Sequence, residues 1–283
     1  MITKFKIGEK IKIKRKKLSL TQQDVCSSFM TRNMLSLIEK DKATPSLETL
    51  VYLSEKLDLP ISYILSEGND LFPYEKEHKL EDIKKLFAQG NYEDCAKSIE
   101  ALSGGDDEIN LIYAISTFEI GKKALLLGSL ATASKYINRA LEASKKTVYP
   151  TDEINVSASL YLAVASNVQS PLLEFDKEQY EKLHAGSFDY EFYKYISLDS
   201  EYEFENDFYK MHLTAKALIK KYKFYEAIEL LTHIEDAKNK FYNAPMLFGV
   251  YTDLELAYKQ LGDFEKAYRY STKRISLLNA FTT

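Results

Sequence analysis

The stretch Ser19–Ser46, "SLTQQDVCSSFMTRNMLSLIEKDKATPS", concentrates hydrogen-bonding side chains at helical spacing. A helix is expected over Arg32–Lys40, with Leu35 and Ile38 facing inward. Thr31, Arg32, Asn33, Ser36 and Leu37 then lie on the side or end left open. Just before it, Thr21 and Asp24 have capping-box spacing, the hydroxyl accepting from the Asp24 N–H while the carboxylate reaches back. That box starts a helix at Gln22, where a side chain and exposed N–H groups can together face a phosphate. This is chemistry for holding a polar partner, not for breaking bonds. Nothing elsewhere suggests an enzyme. His78, His184, His212 and His233 have no metal-ligand spacing, and no Gly-rich phosphate loop or nucleophile elbow occurs. Cys26 and Cys95 form neither a disulfide framework nor a metal site. No cofactor is expected.

The elements that position this stretch follow from its flanks. A short basic helix is expected over Gly8–Lys17, with Ile7, Ile11 and Leu18 on one face. A tight turn at Phe29–Thr31 separates the second and third helices. Thr44 and Pro45 are expected to open a fourth helix as N-cap and first-turn proline, because proline has no N–H to lose. Leu47, Leu50, Val51 and the run Leu53–Leu57 supply its apolar stripe, and "LPISYIL" (Leu59–Leu65) closes the core as a fifth helix. Two helices joined by a tight turn inside five make a helix-turn-helix unit.

A formal charge of −4 looks wrong for a partner as acidic as DNA, but the charge is unevenly placed. Residues 1–66 carry 12 Lys and Arg against 7 Asp and Glu, and the remainder carries 26 against 35. Phosphate contacts are screened beyond about 8–10 Å, so the local excess governs them. Without a secretion signal or a long apolar run, the chain is expected to be cytoplasmic.

"SEGNDLFPYEKEHK" concentrates Gly, Asn, Asp and Pro, so the expected division is a DNA-binding domain over 1–66, a linker over 67–79 and a helical domain over 80–283. The helical domain repeats one phrase: "LFAQGNYEDCAKSI", "LLLGSLATASKYI", "LIKKYKFYEAIELL" and "YKQLGDFEKAYRYS" align on Tyr92, Leu130, Phe224 and Phe264. Three residues later stand Cys95, Ala133, Ala227 and Ala267, and Gly90, Gly128 and Gly262 precede three of the positions by two. Each phrase reads as a helix ending at glycine, a short turn, and a second helix packed close through the aromatic and small residues. The pattern is weak over 150–205.

The order "R-x5-TQ…IE…PS-x2-TL…L-x2-P-x3-IL" over residues 7–66 resembles the lambda-repressor-like, XRE-type helix-turn-helix. That resemblance implies an ion pair between Arg15 and Glu39, DNA contacts from Thr21 and Gln22, and base or phosphate contacts from Thr31, Arg32, Asn33, Ser36 and Leu37. Arginine can bond guanine O6/N7 and asparagine adenine N6/N7. The chain departs from the pattern in a turn one residue short without its glycine, and in Asp41 where glycine commonly stands.

The phrase "A-Y-x-x-L-G-D-F-x-x-A" resembles the tetratricopeptide repeat. The implied architecture is all-α, a five-helix helix-turn-helix domain followed by a right-handed solenoid of helix pairs. Leading helices would line its concave surface with Phe118, Glu119, Lys122, Asn155, Asn167, Tyr209, His212, Leu213, Lys216, Thr252, Asp253, Leu256 and Lys259.

Together the halves resemble the peptide-sensing RRNPP regulators of Gram-positive bacteria, in their PlcR-like branch. The resemblance implies a cytoplasmic homodimer that reads a palindromic operator in double-stranded DNA under control of a short signalling peptide, without a membrane partner. Leu213 stands where an inner-helix asparagine often clamps the peptide. The alternative is a helix-turn-helix regulator whose repeats bind a protein or only dimerise.

Overall fold

A computed structural model describes residues 7–26, 29–66, 70–166, 180 and 182–282. The described residues are helical and contain no β-strand. The chain divides after Gly105 into two compact units.

The first unit holds α1 (Ile7–Lys17), α2 (Gln22–Val25), α3 (Arg32–Glu39), α4 (Leu47–Leu57), α5 (Ile61–Leu65), α6 (Phe72–Ala88) and α7 (Tyr92–Glu100). Ile11, Val25, Leu35, Ile38, Leu53, Leu57 and Ile64 make one buried core beneath the first five helices. Gly8 is required where α1 meets α3, since a Cβ there would lie 1.9 Å from the Ile38 carbonyl oxygen. The Lys10 amine is 4% exposed and donates to the Tyr63 carbonyl (2.8 Å), the Ser66 carbonyl (2.7 Å) and the Ser66 hydroxyl (2.9 Å).

Several local expectations are corrected. Leu18 lies beyond α1, 44% exposed, because the chain turns at Ser19 with φ +57°. The α4 N-cap is Ser46, whose hydroxyl accepts from the Thr49 N–H at 3.3 Å, so Thr44 and Pro45 precede the helix. The third helix ends at Glu39 and the fifth begins at Ile61, each shorter than expected.

The segment expected as a linker over 67–79 contains the start of α6. Pro73 costs nothing in a first turn, and Tyr74 packs against Tyr63 with ring centroids 5.7 Å apart. Buried Glu75 then meets Lys14 at 3.8 Å and accepts from the Ser103 N–H at 2.7 Å. Apolar contact and one carboxylate therefore hold α6 and α7 to the five-helix core.

The second unit holds α8 (Asp107–Leu126), α9 (Leu130–Ser144), α10 (Asp152–Ser166), α11 (Phe188–Ile196), α12 (Asp207–Lys220), α13 (Phe224–Asp236), α14 (Ala244–Gln260) and α15 (Phe264–Thr282). The pairs α8–α9, α12–α13 and α14–α15 pack as neighbours, and α13 also packs on α14. Helix α14 touches α8 and α15 touches α9, so the helix order returns on itself within this unit. Gly90, Gly128 and Gly262 take φ of +71°, +90° and +79° at the turns of three repeats. The fourth repeat places Tyr222 there, at φ +61°.

Candidate nucleic-acid interface and repeat-domain groove

The open side of α3 follows from how its ends are fixed. Thr31 is the N-cap, its hydroxyl accepting from the Met34 N–H at 3.3 Å. Leu35 and Ile38 are buried beneath, while Thr31, Arg32 and Asn33 are exposed, Leu37 is 38% exposed and Ser36 is half-buried. Met34 is also 38% exposed on this side, an apolar member that the polar reading passed over.

Thr21 and Asp24 form the reciprocal box, the hydroxyl accepting from the Asp24 N–H at 3.2 Å and the carboxylate from the Thr21 N–H at 2.7 Å. Those hydrogen bonds from Thr21 hold the Asp24 carboxyl below its ordinary value.

Arg15 and Glu39 join α1 to α3 through a two-point ion pair, Nε to Oε1 at 2.5 Å and Nη2 to Oε2 at 3.0 Å. Arg15 also donates to the Leu20 carbonyl at 2.7 Å, fixing the chain between α1 and α2. The Gln22 amide donates to Glu39 Oε2 at 2.9 Å. Its side chain therefore turns toward the ion pair. Burial pushes the Glu39 carboxyl up, but hydrogen bonds from Arg15 and Gln22 outweigh it and leave the pKa below its ordinary value.

In the second unit, six of the expected groove residues, Phe118, Glu119, Lys122, His212, Lys216 and Asp253, are engaged with one another. Phe118 (5% exposed), Tyr209 (0%), His212 (0%) and Leu213 (8%) are core residues, which corrects the expectation that they line an open surface. The physical cause is α11, whose residues come from the weakly patterned 150–205 region. Asp189 takes Lys122 at 2.9 Å and the Tyr161 hydroxyl at 2.7 Å, and the Lys122 amine lies 5.4–5.9 Å from the Phe118, Tyr161 and Phe188 ring centres. Glu119 stands 3.7 Å from Lys122, and burial raises its carboxyl pKa against the pull of that lysine. Tyr195, from the other end of α11, stacks on Tyr209 with ring centres 4.4 Å apart.

A four-residue chain ties α11, α12 and α14 together. Tyr195 Oη lies 2.6 Å from His212 Nδ1, His212 Nε2 lies 2.9 Å from Asp253 Oδ2, and Lys216 Nζ lies 2.7 Å from the same oxygen. A carboxylate can only accept, so Nε2 carries the proton and Nδ1 accepts from the tyrosine hydroxyl. The imidazole is thus satisfied in its neutral form. Burial lowers its pKa against the opposing hydrogen bond to Asp253. Burial alone would raise Asp253, but His212 and Lys216 outweigh it and lower its pKa. Gly249 makes room for this arrangement, since a Cβ there would lie 2.8 Å from His212 Cε1.

Asn155 accepts from the Ser144 hydroxyl at 2.7 Å and donates to Thr151 at 3.3 Å, bridging α9 and α10. Asn167 lies outside the described residues. Thr252 and Lys259 are exposed on α14, as is Leu256 at 41%, and Glu119, Lys122 and Lys216 are half-buried. The residues that the sequence reading missed are Tyr161, Asp189, Tyr195 and Asn243. Asn243 is fully buried and donates to the Tyr209 hydroxyl at 3.0 Å.

Among the described residues there is no group of three or more His, Cys, Asp or Glu placed to hold a metal, and no helix long and apolar enough to cross a membrane. No curated protein matches the chain. Among solved structures it is similar to Bacillus thuringiensis PlcR in complex with the peptide PapR7 and DNA, at 16% identity over 99% of this chain and 97% of that chain, with TM-score 0.23. It is similar to apo ComR from Streptococcus vestibularis at 17% identity over 96% and 91%, with TM-score 0.23. It is also similar to the pheromone receptor Rgg2 of Streptococcus dysgalactiae at 15% identity over 95% and 99%, with TM-score 0.21. The family model described as Helix-turn-helix matches residues 11–64, the segment built from α1 to α5, and the amino-terminal part of this chain is a helix-turn-helix domain.

Proposed function

We propose that the chain is a sequence-specific transcriptional regulator that binds double-stranded DNA as a cytoplasmic homodimer. The observation that carries this reading is the open polar side of α3, capped by Thr31 and held at a fixed angle to α1 by the Arg15–Glu39 pair, within a family-matched helix-turn-helix domain. Arg32, Asn33, Ser36, Thr31 and Leu37 would read base edges. The N–H groups of Gln22 and Gln23, together with the Thr21 side chain, would hold phosphate. Paired domains would read a palindrome with half-sites about 34 Å apart.

The tetratricopeptide-like repeats would take a short signalling peptide at the groove edge formed by Thr252, Leu256 and Lys259. A peptide reaching deeper would compete for Asp253 against Lys216, or for Asp189 against Lys122. The second reading, repeats that bind a protein partner or only dimerise, draws support from the burial of Phe118, Tyr209, His212 and Leu213.

Selection of operator sequences from a random pool, followed by titration in a gel-shift assay, tests the DNA reading. Arg32→Ala should weaken operator binding by about 10-fold or more while leaving helicity unchanged. Equal affinity of the variant and the parent would remove α3 as the reading helix. Titration with synthetic peptide pools separates the two readings of the repeats: a saturable thermal shift favours a peptide, and no shift favours a protein partner.

A further inference from the structure

The open side of α3 is not polar throughout. At about 100° per residue, Leu35, Ile38 and Glu39 share the buried side, and Asn33 and Leu37, four residues apart, stand opposite them. Arg32 and Ser36 flank that line on one side, and Met34 flanks it on the other. Met34 and Leu37, three residues apart and each 38% exposed, are therefore neighbours on the helix surface. They make an apolar strip beside the polar strip of Arg32, Asn33 and Ser36. Charge is sparse here: Arg32 is the only cation of α3, and its only acid, Glu39, is engaged by Arg15 and Gln22.

The strip is held where it stands. The Thr31 hydroxyl accepts from the Met34 N–H at 3.3 Å, which fixes the first turn of α3. Leu35 and Ile38, 0% and 1% exposed, set the rotation of the helix about its own axis, so the strip cannot roll into the core. Methionine is unbranched and polarisable, and adapts its shape to what it meets. An apolar strip continuous with donors and acceptors that suit base edges needs an apolar complement in the same groove.

We propose that Met34 and Leu37 read thymine, by packing on its C5 methyl group in the major groove. The proposal rests on the DNA reading of α3 given above and names a base that it takes. Of the four bases only thymine presents a methyl group there, while guanine, adenine and cytosine show acceptors and donors. An apolar side chain set against those three leaves a base-edge polar group without a partner, and so works against them. Met34 and Leu37 are about 4.5 Å apart along the helix, against about 3.4 Å between base pairs, so they fall on neighbouring pairs. Arg32 and Asn33, nearer the start of the helix, then take guanine or adenine at adjoining positions. The half-site thus joins a purine contact to adjacent thymines, and Met34 distinguishes thymine from cytosine.

The test pairs each side chain with a single methyl group. The full-length parent, Met34→Ala and Leu37→Ala are titrated by gel shift against the selected operator. They are also titrated against copies in which deoxyuridine replaces one thymine at a time, which removes only the methyl. Circular dichroism shows that each variant is folded, and alanine at an exposed helical site favours the helix. For the parent, neighbouring thymines in each half-site should each lose about 4-fold in affinity, the worth of one buried methyl. Each variant should bind the unmodified operator about 4-fold or more weakly than the parent. At one thymine the deoxyuridine loss should vanish in Met34→Ala, because the partner of the methyl is already gone, and at its neighbour in Leu37→Ala. The slope of affinity against salt should match the parent's in both variants, since neither residue meets a phosphate. A variant in which no position's loss vanishes overturns the reading for that residue. A flat deoxyuridine scan, or a half-site without thymine, overturns it for both and leaves α3 as the reading helix. Arg32→Ala binding as tightly as the parent overturns α3 itself, and the thymine reading with it.

Discussion

Asp41 Oδ1 accepts a hydrogen bond from the Gly8 N–H at 2.8 Å, tying the turn after α3 to the first turn of α1. Asp41 holds φ +54°, a left-handed conformation that costs a non-glycine residue about 1–2 kcal/mol. The carboxylate offsets that cost by satisfying one of the N–H groups that a helix start leaves open. Asp41→Gly should therefore be close to neutral, relief of strain balancing the lost bond, while Asp41→Ala should destabilise by about 1–2 kcal/mol. Gly8→Ala should be far worse, because its methyl group would overlap the Ile38 carbonyl. Urea denaturation followed by circular dichroism ranks the three.

Tyr222 presents the reverse case. It stands at φ +61° and 81% exposed, at the turn position that three other repeats give to glycine. Its ring has an edge contact with Phe224 at 6.1 Å and little else to lose. Tyr222→Gly should raise stability by about 1 kcal/mol, visible as a higher urea midpoint, whereas Gly262→Tyr should lower it by a similar amount.

Glu39 gathers Arg15 and Gln22 in a site where its side chain is 3% exposed. Glu39→Gln should cost about 3–5 kcal/mol, because it leaves Arg15 charged and unanswered beneath the surface. The folded pKa is depressed, so the stability that Glu39 contributes is present above the ordinary carboxyl value of 4.5 and is lost as pH falls through the folded value. A pH series of denaturation midpoints from about 3 to 7 should be flatter in that variant than in the parent.

His212 works in the opposite direction. Its folded pKa is lowered, so the unfolded chain binds the extra proton first, and stability falls as pH drops below the ordinary imidazole value of 6.5. His212→Phe removes that proton but leaves the Tyr195 hydroxyl and Asp253 short of a partner. It should destabilise by about 1–3 kcal/mol near neutral pH and by less about two pH units lower. A penalty that grows on acidification would mean that the folded protein favours the charged imidazole.

Removing Lys216 tests the groove. Lys216→Met should leave Asp253 with His212 alone, raising the carboxyl pKa and shifting the histidine upward as its neighbouring cation is lost. The shift can be followed by the imidazole proton resonance.

Whatever depends on neighbours within about one helical turn was legible in the residues alone. The alternating apolar residues, the Thr21–Asp24 box and the glycine-ended repeat phrases place most helices, because hydrogen bonds and capping act over three or four residues. Local signals misled where two caps were available, at Thr44 and Ser46, and where proline read as a linker while starting α6. Arg15 and Glu39 could be joined by resemblance to a known pattern, not by any local rule, since 24 residues separate them. That α11 delivers Asp189 to Lys122 and Tyr195 to His212 emerged from the packed helices, because those partners come from elements without a shared period. The same holds for Asp41 and Tyr222, whose left-handed backbones are imposed by the helices on either side. Burial of Tyr209 and His212 follows from that packing: a side chain's place on one helix is written in its period, but whether that face meets solvent is settled by the helices that close over it.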